Sequence, residues 1–372
     1  MKKVGIITYH YYYNYGTMLQ AFALQNYIQK QNNNCELIDY RVAEKKITKL
    51  NLLLIRLKRV FHYLNNLKKV YRYTVFRKKI NQKHIFFKQF AEKYFNLTEQ
   101  SYMYYCDLIN NKPIKDIYIV GSDQTWSPKI GLNPAFFLEF APKNSIKASY
   151  APSIGVTKFD EISKEAISKY LNKFNFISCR ETIGSQLLQQ FTEKPIYTVL
   201  DPTFLLTADD WGKFSVNPII KKPYILCYFL GNRKYYRTYV KELGKITKME
   251  IYYIPVNYMD LSKKNNLLFN CGPSEFLGLI KNASIICTDS FHGMAFSINY
   301  NKDFYVFTKC KGSFSDGDNS RIYDLLNRMN LLDRLKTPKD NVVFGPIEYS
   351  NVNEKLAKER KNSTKYLQNI LN

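Results

Sequence analysis

The stretch KKVGIITYHYYYNYGTMLQAFALQNYIQKQNNNCELIDY, residues 2–40, decides how the chain is read. KKVGIITY is a short β-branched run that stops in a polar loop, HYYYNYG. In TMLQAFALQNYIQK, Met18, Leu19, Phe22, Ala23 and Tyr27 recur near helical spacing. NCELIDY reads as the next strand. A strand, a loop, a helix and a second strand form the opening of a doubly wound parallel sheet.

Working outward, residues 45–95 break the alternation with a basic insert whose apolar residues recur at three and four, predicting amphipathic helices. Alternation resumes with DIYIVGSD, KASYAPS, FNFISCRE and PIYTVLDPT. A polar, proline-containing stretch, residues 215–223, reads as a linker. A second alternating series follows: YILCYFLG, a helix over 233–246, EIYYIPV, the helix PSEFLGLIKN, SIICTD, a helix from Phe291, and DFYVF. The tail NVNEKLAKERKNSTKYLQNILN reads as a terminal helix. The expectation is an α/β protein of two Rossmann-like lobes facing a cleft: residues 1–215, carrying the insert, then 216–345, then a helix over 346–372. Ligands in open α/β sheets sit at the carboxyl ends of strands, so the strand-end loops are where chemistry is sought.

Composition narrows the function classes. With 372 residues, two domains are the natural prior. Hydrophobic residues make up 45%, including 31 Tyr and 25 Phe, which excludes a disordered chain. Seven cysteines with no CxxC pair and no histidine at zinc spacing argue against a disulfide framework and a structural metal. The amino-terminal apolar run is too short for a signal-peptide core, and no stretch nears the roughly 20 apolar residues of a membrane span. These features predict a cytoplasmic protein. The net charge of +24 is concentrated: residues 44–93 hold fifteen Lys or Arg against two acids. Such a field suits an anionic partner, at about 1 kcal/mol per basic residue near an anionic membrane. It equally suits a solvated helical face packed on the first lobe. The aromatics are spread evenly rather than interleaved with the basic run, which argues against nucleic acid.

P-loop, GxGxxG, GxSxG and HExxH signatures are absent. What remains lies in strand-end loops. Asn14, Tyr15 and Gly16 open the first helix, where a glycine permits close approach and free N–H groups can meet an anion or a sugar oxygen. Asp123, Gln124 and Trp126 combine an acid, an amide and a flat ring, a sugar-binding set. Arg180 at a strand end and Arg321 after the loop KGSFSDGD suit carboxylate or phosphate. In CTDSFHGMAFS, His292 stands at a helix start with Gly293 beside it, where the dipole favours an anion. Each has a plain structural alternative: a tight turn, a helix cap, an Arg180–Glu181 surface pair, or a buried polar histidine.

Taken in order, NYGTMLQAFALQ, IVGSDQTWSP, SYAPSIG, SCRE, VLDPTFLL, GPSEFLGLIKNASIICTDSFHG and NSRIYDLL resemble the successive blocks of the polysaccharide pyruvyl transferase family, over about residues 4–335. The resemblance implies a fold similar to GT-B glycosyltransferases. It also implies transfer of a pyruvyl group from phosphoenolpyruvate to a sugar of a bacterial surface polysaccharide or its lipid-linked precursor, forming a cyclic ketal. Many relatives carry Arg-x-His-Gly around the histidine. Here Ser290 replaces that arginine, leaving Arg180 and Arg321 to supply the charge. On this basis His292 is the acid/base or phosphate contact, and Arg180, Arg321, Ser290 and Gly293 face the donor. Asn14, Tyr15, Gly16, Asp123, Gln124 and Trp126 face the acceptor. Asp289 is either a second carboxylate or a helix cap. No metal and no cofactor beyond phosphoenolpyruvate as co-substrate is implied. Two other readings fit the residues: a GT-B glycosyltransferase using a nucleotide sugar, and a non-enzymatic polyanion-binding protein.

Overall fold

The computed structural model describes residues 1–42, 67–256, 260, 266–308 and 319–372. The part of the basic insert over residues 45–66 and the loop KGSFSDGD, residues 311–318, lie outside the described residues.

The first five strands are β1 (Lys3–Ile7), β2 (Asn34–Tyr40), β3 (Leu97–Tyr102), β4 (Ile117–Val120) and β5 (Ile146–Ser149). They form one sheet in the order β3-β2-β1-β4-β5. β6 (Ile177–Cys179) and β7 (Ile196–Thr198) pair as a small sheet of their own. A second large sheet uses β8 (Tyr224–Tyr228), β9 (Glu250–Tyr253), β10 (Asn266–Leu267), β11 (Ile285–Thr288), β12 (Asp303–Phe307) and β13 (Leu335–Lys336). Its order is β10-β9-β8-β11-β12-β13. All the pairings are parallel. The fold is therefore α/β with parallel sheets, and its two lobes are Rossmann-like. Residues 215–223 carry neither helix nor strand and lie between the two large sheets.

The strand sequences explain the burial. Val4, Ile6 and Ile7 of β1 are buried, as are Ile225, Leu226 and Cys227 of β8. Near-continuous apolar runs are what parallel strands covered on both faces require. Alternate residues serve opposite faces: Val4 and Ile6 join one apolar cluster and Ile7 another. The helix Tyr15–Lys30 starts where Asn14 caps it, its side chain accepting from the Thr17 amide, and ends with Lys30 in its last turn.

Two features differ from the sequence expectation. The insert does not interrupt the doubly wound pattern. The helix Leu67–Tyr94 is the crossover between β2 and β3, and β3 itself, LTEQSY, was not legible because it is a half-exposed polar edge strand. The strands read in FNFISCRE and PIYTVLDPT stand outside the large sheets.

The lobes share apolar packing. Tyr15 of the first lobe stacks on Phe276 of the second at 4.3 Å, and its hydroxyl donates to the carbonyl of Cys271 at 2.7 Å. The crossover helix reaches the same region: a Cβ on Gly272 would lie 2.5 Å from Cβ of Phe86. The C-terminal helix Tyr349–Leu371 runs back to the first lobe. Its Val352 and Leu356 lie in the inter-lobe cluster, while Tyr366, Leu367, Ile370 and Leu371 pack with Val4, Ile6 and Leu24. None of the described helices is long and apolar enough to cross a membrane.

Candidate functional site

In each large sheet the strand order reverses at one place, between β1 and β4 and between β8 and β11. Loops leaving the carboxyl ends of such a pair diverge and open a crevice. The two crevices meet. Asn14 and Thr17 follow β1, Asp123 and Gln124 follow β4, Leu230 follows β8, and Ser290, Phe291 and His292 follow β11. All line one cavity of about 560 Å³, which Arg321 joins from the start of the helix Ser320–Met329. That volume lies within the usual range of ligand sites.

His292 sits in the first turn of the helix Phe291–Asn299. Ser290 caps this helix, its hydroxyl accepting from the Gly293 amide at 3.3 Å. The imidazole is buried, and Nε2 has no hydrogen-bond partner among the described residues. Oδ2 of Asp201 lies 3.6 Å from Nε2, an ion-pair distance just beyond hydrogen-bond reach. The other side of the ring faces the first lobe, where Gly16 has no side chain.

Behind the imidazole lies a buried charge network. Asp201 caps the short 3₁₀ turn Pro202–Phe204: Oδ1 accepts from the Thr203 amide at 3.0 Å and from its hydroxyl at 2.8 Å. Oδ2 accepts from Nη1 of Arg180 at 2.7 Å and from Ser122 at 3.0 Å. Arg180 continues to Glu181, with Nε 3.3 Å from Oε1, and lies over the Phe291 ring at 4.2 Å. Burial alone would raise the Asp201 carboxyl. The charge of His292, then that of Arg180 and the Thr203 amide, outweigh it and hold Asp201 well below the usual carboxylate range. Formally the triad of Arg180, Asp201 and Glu181 carries one net negative charge behind the imidazole.

Several assignments need correction. Arg180, expected as a donor clamp, is 3% exposed and engaged with two carboxylates; it stands behind the cavity wall and shares the neighbour Asp201 with His292. Trp126, expected to stack on the acceptor, is wholly buried, its Nε1 donating to the Phe136 carbonyl and its ring stacked on Phe137. Tyr15 is consumed by the inter-lobe contact. Gly293 serves packing: a Cβ there would lie 2.5 Å from Oγ1 of Thr288. Asp289 accepts from the amides of Leu230 and Gly231 at 2.6 Å each and so clamps the loop after β8. It is neither a cavity carboxylate nor the cap of the helix, which is Ser290. Asn14, Asp123, Gln124, Ser290, His292 and Arg321 do line the cavity.

Sequence reasoning missed Asp201, although DPT, an acid before a proline, is a turn-and-cap signal. It also missed Thr17, whose hydroxyl donates to Asp123 at 2.7 Å, and the tyrosines of the loop after β1.

Among solved structures, the chain is similar to the UDP-GlcNAc 2-epimerase of Methanocaldococcus jannaschii, at 14% identity and a TM-score of 0.51, over 97% of this chain and 92% of that one. It is also similar to a candidate UDP-N-acetylglucosamine 2-epimerase of Listeria monocytogenes, at 9% identity and a TM-score of 0.51, over 99% and 91%. At these identities the likeness is one of fold, two parallel-sheet lobes of GT-B type. No curated protein sequence matches significantly. The family model described as polysaccharide pyruvyl transferase matches residues 14–309, a span that holds Asn14, Asp123, Asp201 and His292, and the chain thus belongs to the polysaccharide pyruvyl transferase family.

Proposed function

We propose that the protein transfers the pyruvyl group of phosphoenolpyruvate to a sugar of a bacterial surface polysaccharide, or of its lipid-linked precursor, as a cyclic ketal. Family membership supports a transferase of polysaccharide synthesis. The observation that carries the finer reading is the Nε2 of His292: buried on the cavity wall, unpartnered among the described residues, and backed by a buried carboxylate.

The chemistry needs a proton at the methylene carbon of the enol phosphate. Protonated His292 supplies it, leaving an oxocarbenium at the adjacent carbon. One sugar hydroxyl adds there and returns a proton to the imidazole. The carbon–oxygen bond to phosphate then breaks with its electrons on phosphate. The second hydroxyl closes the ketal, and its proton leaves with the phosphate. No external electron enters this balance, so the proposal invokes no redox cofactor. Arg321 and the start of the helix Phe291–Asn299 face the donor's phosphate and carboxylate. Asn14, Asp123 and Gln124 hold the two hydroxyls close, a positioning task.

The test is incubation of purified protein with phosphoenolpyruvate and candidate glycans, read by mass spectrometry. A ketal adduct with released phosphate is expected. Absence of adduct, together with thermal stabilisation by nucleotide sugars, would replace this reading with a glycosyltransferase. Salt-sensitive retention on nucleic acid with no donor binding would replace it with a polyanion-binding protein.

The same reading places the enzyme at the inner face of the membrane, through residues 45–95. In the described part, Phe87 and Phe90 face the core while Arg77, Lys78, Lys79, Lys88 and Lys93 face outward. Vesicle flotation at low salt should favour anionic over neutral vesicles. Equal recovery would sink the membrane assignment.

A further inference from the structure

The cavity needs an aromatic surface if it is to hold a sugar ring, and Trp126 cannot provide one. We propose that Tyr12 and Tyr13 are the stacking platform for the acceptor, a hexopyranose with one C–H-rich face, and that the crossover helix holds this platform in place through His84. The inference rests on the proposed function and names the part of the site that chooses the acceptor.

Both rings line the cavity and remain 42% and 53% exposed. Apolar ring surface left in water is unfavourable, and a sugar's C–H face removes it while its hydroxyls stay free for polar partners. Those partners, Asn14, Asp123 and Gln124, line the same cavity.

The platform is braced. Tyr13 stacks on His84 at 4.0 Å and 18°, with Phe87 edge-on at 6.0 Å. Tyr12 lies 4.4 Å from the Tyr11 ring, whose hydroxyl donates to that of Tyr12, and 5.7 Å from Tyr9. The loop carrying them is pinned at its base. His10 meets Asp39 at 3.0 Å and the Thr8 carbonyl at 3.1 Å, and Gln20 donates to the Tyr9 carbonyl at 3.0 Å. Rings fixed before binding lose little freedom on binding, which is what selectivity among similar sugars demands. The insert helix therefore contributes to acceptor choice although only its supporting face touches the loop.

The test uses the full-length protein, labelled, on an array of bacterial surface oligosaccharides with no phosphoenolpyruvate present. Wild type should be retained by a subset of pyranose-containing glycans. Tyr12→Ala and Tyr13→Ala should weaken that retention by at least about tenfold, and Tyr13→Phe should keep it. Tyr13→Leu, which preserves apolar bulk for folding, should behave like Tyr13→Ala. His84→Ala should weaken retention less than Tyr13→Ala does. Thermal stabilisation by phosphoenolpyruvate should be unchanged in all five. A wild-type protein retained by no glycan, or a Tyr13→Ala protein retained as strongly as wild type, would overturn the platform. Because the array contains no donor, it judges the platform alone, and a missing ketal in the mass-spectrometric assay judges transfer alone.

Discussion

Gly16 and His292 meet across the cleft with no room for a side chain between them: a Cβ on Gly16 would lie 1.9 Å from Nδ1 of His292. The sequence reading gave Gly16 to a ligand, but its close neighbour is the imidazole itself. Gly16→Ala must push the ring away. Overpacking of this kind costs about 1–3 kcal/mol, and a displacement of about 1 Å can cost about a hundredfold in turnover. Melting and turnover of Gly16→Ala check this, and wild-type turnover would show the ring is not position-critical. In the double variant with His292→Ala the stability loss should shrink, since the clash partner is gone.

His292→Ala alone should stay folded and lose about a hundredfold or more in turnover, with donor affinity near wild type. Arg321→Ala should do the opposite and chiefly raise the phosphoenolpyruvate KM. Steady-state kinetics and donor titration separate the two. A folded His292→Ala enzyme with full turnover removes the histidine from proton transfer.

Asp201→Asn leaves Arg180 short of a carboxylate inside the protein, and breaking a buried pair costs on the order of 3–5 kcal/mol. The pH dependence has a definite sign. The folded-state value of Asp201 lies below its unfolded value of about 3.9, so its contribution is complete above that value and is lost as pH falls towards the folded one. Denaturant titrations at pH 7 and pH 3 should show the gap between variant and wild type narrowing at acid pH. A gap of constant size would remove the carboxylate from the stability account.

Trp126→Ala should cost about 3–5 kcal/mol as a core truncation. Trp126→Phe should be milder and leave the acceptor KM unchanged. A raised acceptor KM in a fully folded Trp126→Phe would return this ring to the binding surface.

These contrasts mark where sequence reading stops. Strands such as YILCY and IICT were legible because both their faces are buried, and the helix Pro273–Asn282 because proline opens it and its apolar residues keep helical spacing. The polar edge strand β3 carries no such pattern. Within the site, types were legible and directions were not. Asp123 adopts a left-handed backbone, φ 68°, and the chain turns there, sending Gln124 to the cavity and Trp126 to the core. Asn14 caps its helix, whereas Tyr15, one residue on and rotated by about 100°, points at Phe276. Asp201 joins Arg180 from 21 residues away and His292 from 91 further on, distances over which no local pattern operates.

The returning C-terminal helix gives synthesis a direction-dependent gap. Tyr366, Leu367, Ile370 and Leu371 complete the packing around β1, and the Ser363 hydroxyl accepts from the Leu200 amide at 2.9 Å. The first strand leaves the ribosome on the order of 20–70 s before these residues, at about 5–20 residues per second. For that interval the nascent first lobe lacks the apolar cover that Tyr366, Leu367, Ile370 and Leu371 supply to Val4, Ile6 and Leu24, so its core closes only after the second lobe has been made.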